Sequence, residues 1–443
     1  MEMEKILKKV EEDKVRFVLL QFTDINGIVK NLTIPVKRLK EAIEDGVWID
    51  GSSVHGFLRV HESDMYLKPV VSTYTVIPWL KDEDNENTAR IICDLFTPNG
   101  DHFEDDLRYI LKKVLKEASD MGLNYFVGPE PEFFLFNNEN GFKPLPHDMG
   151  GYFDLNMDKA FSIRSDMTKA LEEVGIEVET NHHEVAYGQH EIAFKYDEAL
   201  KTADNIITFK FTLKAIAEKN GLHATFMPKP ISGINGSGMH CHQSLFTNEG
   251  KNAFYDENDP YHLSATAKSF IAGQLKYITE MSGVVAPLVN SYKRLVPGYE
   301  APVYVCWAKI NRSALIRIPR FSEGKKNSCR AEIRCPDPSS NPYLALAVLL
   351  KAGLKGIKEN LVPADPVEED VYHFDNKKLN DLYIKTLPAS LGEAINEMKK
   401  GSIVKETFGE SLFNKFIESR QAEWDEYRLQ VNDWEIKKYI EKY

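Results

Sequence analysis

Residues 128–136 read Gly-Pro-Glu-Pro-Glu-Phe-Phe-Leu-Phe. The apolar run after the two glutamates makes this a strand passing into a core. Residues two apart on a strand point to the same side, about 7 Å apart. Glu130 and Glu132 therefore face together into whatever Phe134 and Phe136 line, and neither carboxylate is stable there unpaired. Two kinds of partner satisfy them: Lys or Arg side chains, or a divalent metal that accepts several oxygen ligands at once. Any fold open to this chain must bring positive charge to this strand.

The chain is long enough, at 443 residues with 43% hydrophobic and 28% charged side chains, for two or more packed units. Its net charge of −12 argues against binding nucleic acid or an anionic membrane surface, so cations for an anionic ligand would be gathered locally. The opening MEMEKILKKVEEDK reads as charged helix, and no run of about 18 apolar residues occurs, so a cytoplasmic protein is expected. Cys93, Cys241, Cys306, Cys329 and Cys335 are scattered without a C-x-x-C pair and read as small core residues.

Apolar alternation on both sides of Asn26-Gly27 predicts a β-hairpin, followed by the helix VKRLKEAIEDG. The turn-rich LFTPNGDHFEDD precedes a helix with Leu107, Ile110, Leu111, Val114, Leu115 and Ala118 on one face, which puts a domain boundary near residue 104. Beyond it, strands in NYFVGPEPEFFLF, EVAYGQHEIAF, HATFMPK, MHCHQSLF and CRAEIRC alternate with helices over 157–174, 197–220 and 341–358. The pattern is α+β, without an internal repeat. Residues 376–443, rich in Lys and Glu, read as a peripheral helical cap.

Further chemistry lies in these strands. Glu184 and Glu191 are seven apart in NHHEVAYGQHEI, an odd spacing that a bulge at Gly188 would bring to one side. His240 and His242 share one strand face, as do Arg330, Glu332 and Arg334, an arrangement that taken alone reads first as a plain ion-pair ladder. Arg294, Arg312, Arg317, Arg330 and Arg334 fall within a short span of an acidic chain, and guanidinium forks hold carboxylates and phosphates. FMPKPISGINGSGMH lacks the P-loop order and suits a flexible substrate loop. Several carboxylates with one imidazole and no thiolate fit a pair of hard divalent ions, and such ions beside arginines point to phosphoryl transfer from a nucleotide.

The segments DGSSVHGF (50–57), GPEPEFF (128–134), NHHEVAYGQHEI (181–192), NGSGMHCHQSL (235–245), NSYKRLVPGYEAP (290–302), NRSALIRIP (311–319) and AEIRCPDPSSNPYLALA (331–347) together resemble the glutamine synthetase family, type I, alpha subgroup. The resemblance implies a small β-grasp-like N-terminal domain (1–104) and a larger glutamine synthetase/guanido kinase-like catalytic domain with a C-terminal helical part (105–443). It also implies a homododecamer of two hexameric rings with active sites between subunits. ATP, L-glutamate and ammonium would be substrates, through a γ-glutamyl phosphate, with two or more Mg²⁺ per subunit or alternatively Mn²⁺. Small regulatory proteins or metabolites would be further partners.

By motif, Glu132, Glu184 and Glu191 would hold one metal, and Glu130, His240 and Glu332 the other. Arg294, Asn235, Gly236 and Arg334 would bind glutamate, Glu300 would close over the intermediate, and Arg312 and Arg317 would neutralise the transferring phosphoryl group. Glu179, His242, Ser244 and Arg330 would contact the nucleotide, while Asp50 and Ser53 of an adjacent subunit would form the ammonium site. Asn327 stands where some relatives carry a lysine, and Tyr372 lacks the context of an adenylylated tyrosine. Arg59 resembles the residue that senses glutamine for feedback inhibition. Alternatives are ligation of glutamate to another amine, a catalytically silent scaffold and a two-metal hydrolase. Asp50, Ser53 and the full set of acids and arginines favour the ammonia ligase.

Overall fold

The alternation around Asn26-Gly27 folds into the expected hairpin, β1 (Val15–Thr23) antiparallel to β2 (Val29–Pro35). Asp24 Oδ1 accepts the N–H groups of Asn26 and Ile28, each at 3.0 Å, and Gly27 alone in the turn takes a positive φ, 74°. The connection is thus an Asx-type loop rather than a two-residue turn. The computed structural model describes residues 2–54, 64–137, 146–322 and 324–443. With β3 (Val47–Asp50), β4 (Asp64–Pro69), β5 (Thr75–Lys81) and β6 (Asn87–Phe96), the hairpin builds a six-stranded sheet in the order β2-β1-β6-β4-β3, with β5 also on β6. Val18, Leu20, Leu67, Ala89 and Ile91 pack its inner face.

The second sheet has nine strands: β7 (Leu123–Asn137), β8 (Val178–His183), β9 (Gln189–Phe194), β10 (Asp197–Glu198), β11 (Leu222–Thr225), β12 (Met239–Thr247), β13 (Tyr304–Ala308), β14 (Ala314–Arg317) and β15 (Ala331–Ile333). They run β13-β14-β15-β12-β7-β9-β8, with β10 and β11 also paired to β7. This mixed architecture matches the α+β expectation.

The fifteen residues of β7 are the hub, and its prolines decide where it changes partners. Glu132 donates its N–H to Gly238 on the β12 side, whereas Leu135 donates to Gly188 on the β9 side. Residues 129 and 131 point the same way as Leu135, but Pro129 and Pro131 have no N–H to give. Accordingly β10 pairs only with Phe126 and Val127, and β9 begins only at Glu132. The edge between them stays open along Gly128–Pro131, where Glu130 sits.

Helices Ala199–Lys219, Ala265–Val285 and Pro342–Lys358 supply much of the core behind this sheet. The last two cross in backbone contact: a Cβ on Gly273 would lie 2.2 Å from the carbonyl oxygen of Ala352. All five cysteines are buried and free, as expected. Residues 376–443 are not merely a peripheral cap. Leu412, Phe413 and Phe416 of helix Ile403–Tyr427 join the main core, whereas the short helices Asn376–Asp381 and Asp433–Tyr439 bury no residue. Their Lys/Glu richness describes one face of amphipathic helices whose other face is buried.

Arg108 ties the first sheet to helix Ala199–Lys219, which packs behind the second. Its guanidinium bonds to Asp94 of β6 at 2.8 Å and in a fork to Asp204 at 3.0 Å on both oxygens. Tyr343 adds its hydroxyl to Asp204 at 2.8 Å. Arg108→Met, which leaves two carboxylates inadequately paired, is expected to cost about 3–5 kcal/mol. A urea midpoint equal to wild type would show that Lys112 alone suffices for Asp94.

Candidate active site

Strand register assembles the site. Glu130 of β7 lies opposite His240 of β12, His242 opposite Glu332 of β15, Glu332 opposite Arg317 of β14, and Glu132 opposite Glu191 of β9. Charges far apart in the chain therefore meet across neighbouring strands.

In a first group, Glu130, His240 and Glu332 bring ligand atoms within 4.8 Å of one another. His240 Nδ1 stands 3.6 Å from Glu130 and 3.7 Å from Glu332, beyond good hydrogen bonds. A shared cation with ligand bonds of about 2 Å fits that spacing. Burial pushes the Glu130 carboxyl up, but its imidazole neighbours His240 and His242, the latter hydrogen-bonded to it at 2.9 Å, override that and hold the group well below the ordinary range. Burial likewise opposes ionisation of Glu332, and the neighbouring His242, His240, Arg334 and Arg317 side chains reverse this.

A second group comprises His182, Glu184 and Glu191, again within 4.8 Å. The spacing of the two glutamates has a different origin from the bulge expected. Glu184 follows the end of β8, Glu191 lies in β9, and Gly188 at φ 68° closes the turn between them. Two strands of a hairpin, not one bulged strand, bring the acids together. Glu132 adjoins this group, with its Oε2 accepting from Gln189 Nε2 at 2.8 Å and from the Gly238 N–H at 3.0 Å. Burial, then the charges of Glu130, Glu132, Glu184 and Glu332, raise Glu191 well above the carboxylate range. Five acids thus converge with too little positive charge to ionise all of them, and oxygen-rich donors of this kind suit hard divalent cations.

On the open edge of β7 lies a cavity of about 260 Å³ lined by Gly128, Glu130, Glu179, Tyr196, His242, Ser244, Asn327 and Arg330, among others. All four expected nucleotide contacts line it, and Asn327 does too. Arg330 Nε donates to His242 Nδ1 at 3.1 Å, which leaves the proton on Nε2 to donate to Glu130 Oε1 at 2.9 Å. Arg330, His242 and Glu130 form one chain from cavity wall to acid cluster.

The remaining arginines lie beyond Glu332. Arg317 bonds to Glu332, and Arg334 Nε is 3.2 Å from the same carboxylate. Arg294 is buried, anchored by the carbonyls of Cys335 (2.9 Å), Pro336 (3.3 Å) and Arg334 (3.0 Å). A Cβ on Gly238 would meet Arg294 at 2.4 Å, so the glycine-rich loop is packed directly on it. Gly236 accepts from Gln189 at 3.2 Å, and Asn235 precedes it half-buried. Exposed Arg312 joins through its carbonyl, which accepts from Arg334. Exposed Glu300 takes φ 55°, rare for a residue with a side chain.

Asp50 is not brought to this site within one chain; it ends β3, an edge strand of the other sheet, and accepts from Ser52. Arg59 lies outside the described residues, as does the side chain of Ser53. Sequence reasoning missed His182 and Gln189, though both stood in a quoted segment: His182 pairs with Glu191 across the hairpin, and nothing short of that register singles it out. It also missed Tyr152 and Phe153, exposed rings stacked at 4.0 Å and set against His182 at 5.4 and 5.0 Å. Two aromatics after Gly150-Gly151 were the available signal.

Burial, with the charge of Glu184 beside it, pushes the Glu132 carboxyl up to about 8. Near neutrality it holds a proton that a cation must displace. Mg²⁺ binding is expected to release protons, with affinity climbing with pH and levelling off above about 8. A carboxyl raised by folding binds more protons folded than unfolded, so the metal-free protein is also expected to lose stability as pH rises from the usual carboxylate range toward that value. Calorimetry in buffers of different ionisation enthalpy checks the release, and pH-independent binding would mean Glu132 is already ionised.

A family model described as glutamine synthetase, catalytic domain, matches residues 104–439, and one described as glutamine synthetase, beta-Grasp domain, matches residues 14–98. The chain is 51% identical over 443 residues to the glutamine synthetase of Clostridium saccharobutylicum, covering 99% of each. It is 50% identical over 444 residues to that of Thermotoga maritima, covering 99% of this chain and 100% of that protein. In three dimensions it is similar to Plasmodium falciparum glutamine synthetase seen by cryo-electron microscopy, with a TM-score of 0.88 at 26% identity over 99% of this chain and 98% of the other.

Proposed function

This chain belongs to the glutamine synthetase family and makes glutamine, and we propose that it does so by activating the glutamate side chain with ATP as γ-glutamyl phosphate, from which ammonia displaces phosphate. The observation that carries this reading is the double place of Glu130. It lines the cavity shared by Glu179, Ser244 and Arg330, and it belongs to the group with His240 and Glu332. A nucleotide seated in the cavity then directs its phosphates toward the converging acids. Glu130, His240 and Glu332 would hold one Mg²⁺, or Mn²⁺ in its place, and Glu132, Glu184 and Glu191 with His182 another; when bound, such ions screen phosphate charge and polarise the transferring group.

The chain's own groups account for the other requirements. Arg294 spends three donor protons on backbone carbonyls, which leaves Nε–H and one terminal proton for the glutamate α-carboxylate beside Asn235 and Gly236. Arg334 is placed for the γ-carboxylate, and Arg312 and Arg317 for the phosphoryl oxygens, where fixed positive charge is worth orders of magnitude in rate. Glu300 closes over the acyl phosphate and excludes water. Asp50 attracts ammonium and takes its proton.

Because Asp50 ends a strand of the N-terminal sheet and Ser53 lies in the turn that follows it, away from the other site residues, a second copy supplies them. Their place supports a ring assembly, here read as a dodecamer of two hexamers, with division of each chain at 104/105. Tyr372 donates its hydroxyl to the Ala301 carbonyl at 2.7 Å and so is pinned beside Glu300. That supports the alpha subgroup, with control by glutamine through Arg59 rather than by adenylylation. No helix among the described residues is long and apolar enough to cross a membrane, in keeping with a cytoplasmic setting.

Glutamate labelled with ¹⁸O in its γ-carboxylate is expected to pass one labelled oxygen to inorganic phosphate, and Glu300→Ala to raise ATP hydrolysis uncoupled from glutamine. Unlabelled phosphate excludes the acyl phosphate, and tight coupling in the variant removes the role of Glu300. Light scattering is expected to read the mass of twelve chains; a smaller closed ring would correct the assembly. Arg59→Ala is expected to relieve inhibition by glutamine, and undiminished inhibition would sink that assignment.

A further inference from the structure

Beside the acid clusters lies a buried trio that the mechanism does not use. His183 ends β8 and pairs in register with His190 of β9, and Asp148 joins them, ligand atoms again within 4.8 Å. The hydrogen bonds decide what the trio is. Asp148 Oδ1 accepts from His183 Nε2 at 2.9 Å, from the Gly188 N–H at 3.1 Å and from the Gly150 N–H at 3.4 Å; Oδ2 accepts from the Lys159 N–H at 3.0 Å. His183 Nδ1 lies 2.6 Å from the carbonyl oxygen of Glu184. Both ring nitrogens of His183 thus face acceptors, so both carry protons and the ring is an imidazolium. A metal could enter only by expelling those protons and turning away three backbone N–H groups. The trio is therefore an ion pair, not a third metal centre.

We propose that the Asp148–His183 pair is a positioning device for the cation site, fixing the turn 184–188 from which Glu184 projects and after which Glu191 follows. It rests on the reading that Glu184 and Glu191 hold a divalent cation. One carboxylate grips the turn twice: through His183 it holds the Glu184 carbonyl at one end, and directly it holds the Gly188 amide at the other. The turn needs such a grip because Glu184 and Glu191 must face one point to share a cation, and an unrestrained turn is free to swing Glu184 into water. Being an ion pair, the grip adds no net charge to the site whose geometry it sets.

The same carboxylate reaches the opposite wall. It holds the Gly150 and Lys159 amides, and Phe153 donates its N–H to the His183 carbonyl at 3.3 Å. The segment bearing Tyr152 and Phe153 is thereby held against the hairpin bearing the acids.

The experiment is Mn²⁺ titration of the full enzyme, read by electron paramagnetic resonance, for wild type, Glu184→Gln and Asp148→Asn, alongside ADP affinity, KM for glutamate and the melting curve. Residues that orient metal ligands change affinity by about 10–100-fold. Asp148→Asn is expected to weaken, by about tenfold or more, the same class of Mn²⁺ site that Glu184→Gln abolishes. KM for glutamate should rise, while ADP affinity stays within about twofold. Wild-type Mn²⁺ binding by Glu184→Gln would refute the parent reading of the cation site. Loss in Glu184→Gln with wild-type binding in Asp148→Asn would overturn the positioning role and leave the parent reading standing. Should Asp148→Asn fail to fold, His183→Asn, which keeps a donor for the Glu184 carbonyl and releases Asp148, is judged by the same titration.

Discussion

Repulsion among carboxylates is the constraint on which the rest of this structure depends. Glu130, Glu132, Glu184, Glu191 and Glu332 converge from three strands and a turn. Their environments split them: neighbouring imidazoles and arginines favour the ionised forms of Glu130 and Glu332, while burial and nearby carboxylates favour the protonated forms of Glu132 and Glu191. No arrangement of protein side chains here satisfies all five. The fold has assembled a demand for cations that divalent ions meet.

What surrounds the acids is rigid for the same reason. Gln189 bridges Glu132 to Gly236, Gly238 donates to Glu132, and Arg294 packs beneath that loop on three carbonyls. The glycine-rich loop is thus bonded to one of the converging acids, and a change at either is felt by the other. Pro129 and Pro131 do the opposite work: by withholding two N–H groups they keep β7 open where the cavity lined by Glu130, Glu179 and Arg330 forms.

Much of this was legible from residue order. The α+β pattern, the first hairpin and the strand bearing Glu130 and Glu132 follow from alternation and turn chemistry, which are local. The site residues were legible one segment at a time, because charged groups in apolar strands demand partners. Their grouping was not. His182 came to Glu191 through hairpin register, and Glu184 reached it by crossing between strands rather than by a bulge. The C-terminal helices looked peripheral because composition averages over a helix's two faces, while burial acts on one.

The sequence by itself determined that this chain must gather cations at 128–136, must keep its thiols buried and must alternate short strands with helices. Each is a property of neighbours along the chain. Only the tertiary structure decided which acids meet in one group, that His242 serves Glu130 as a hydrogen-bond donor, and that Asp148 with a doubly protonated His183 spans the turn beside them. The physical reason is that hydrogen bonds and Coulomb forces act over a few ångströms of space, and the residues they join here, from Glu130 to Glu332, are brought that close only by strand pairing.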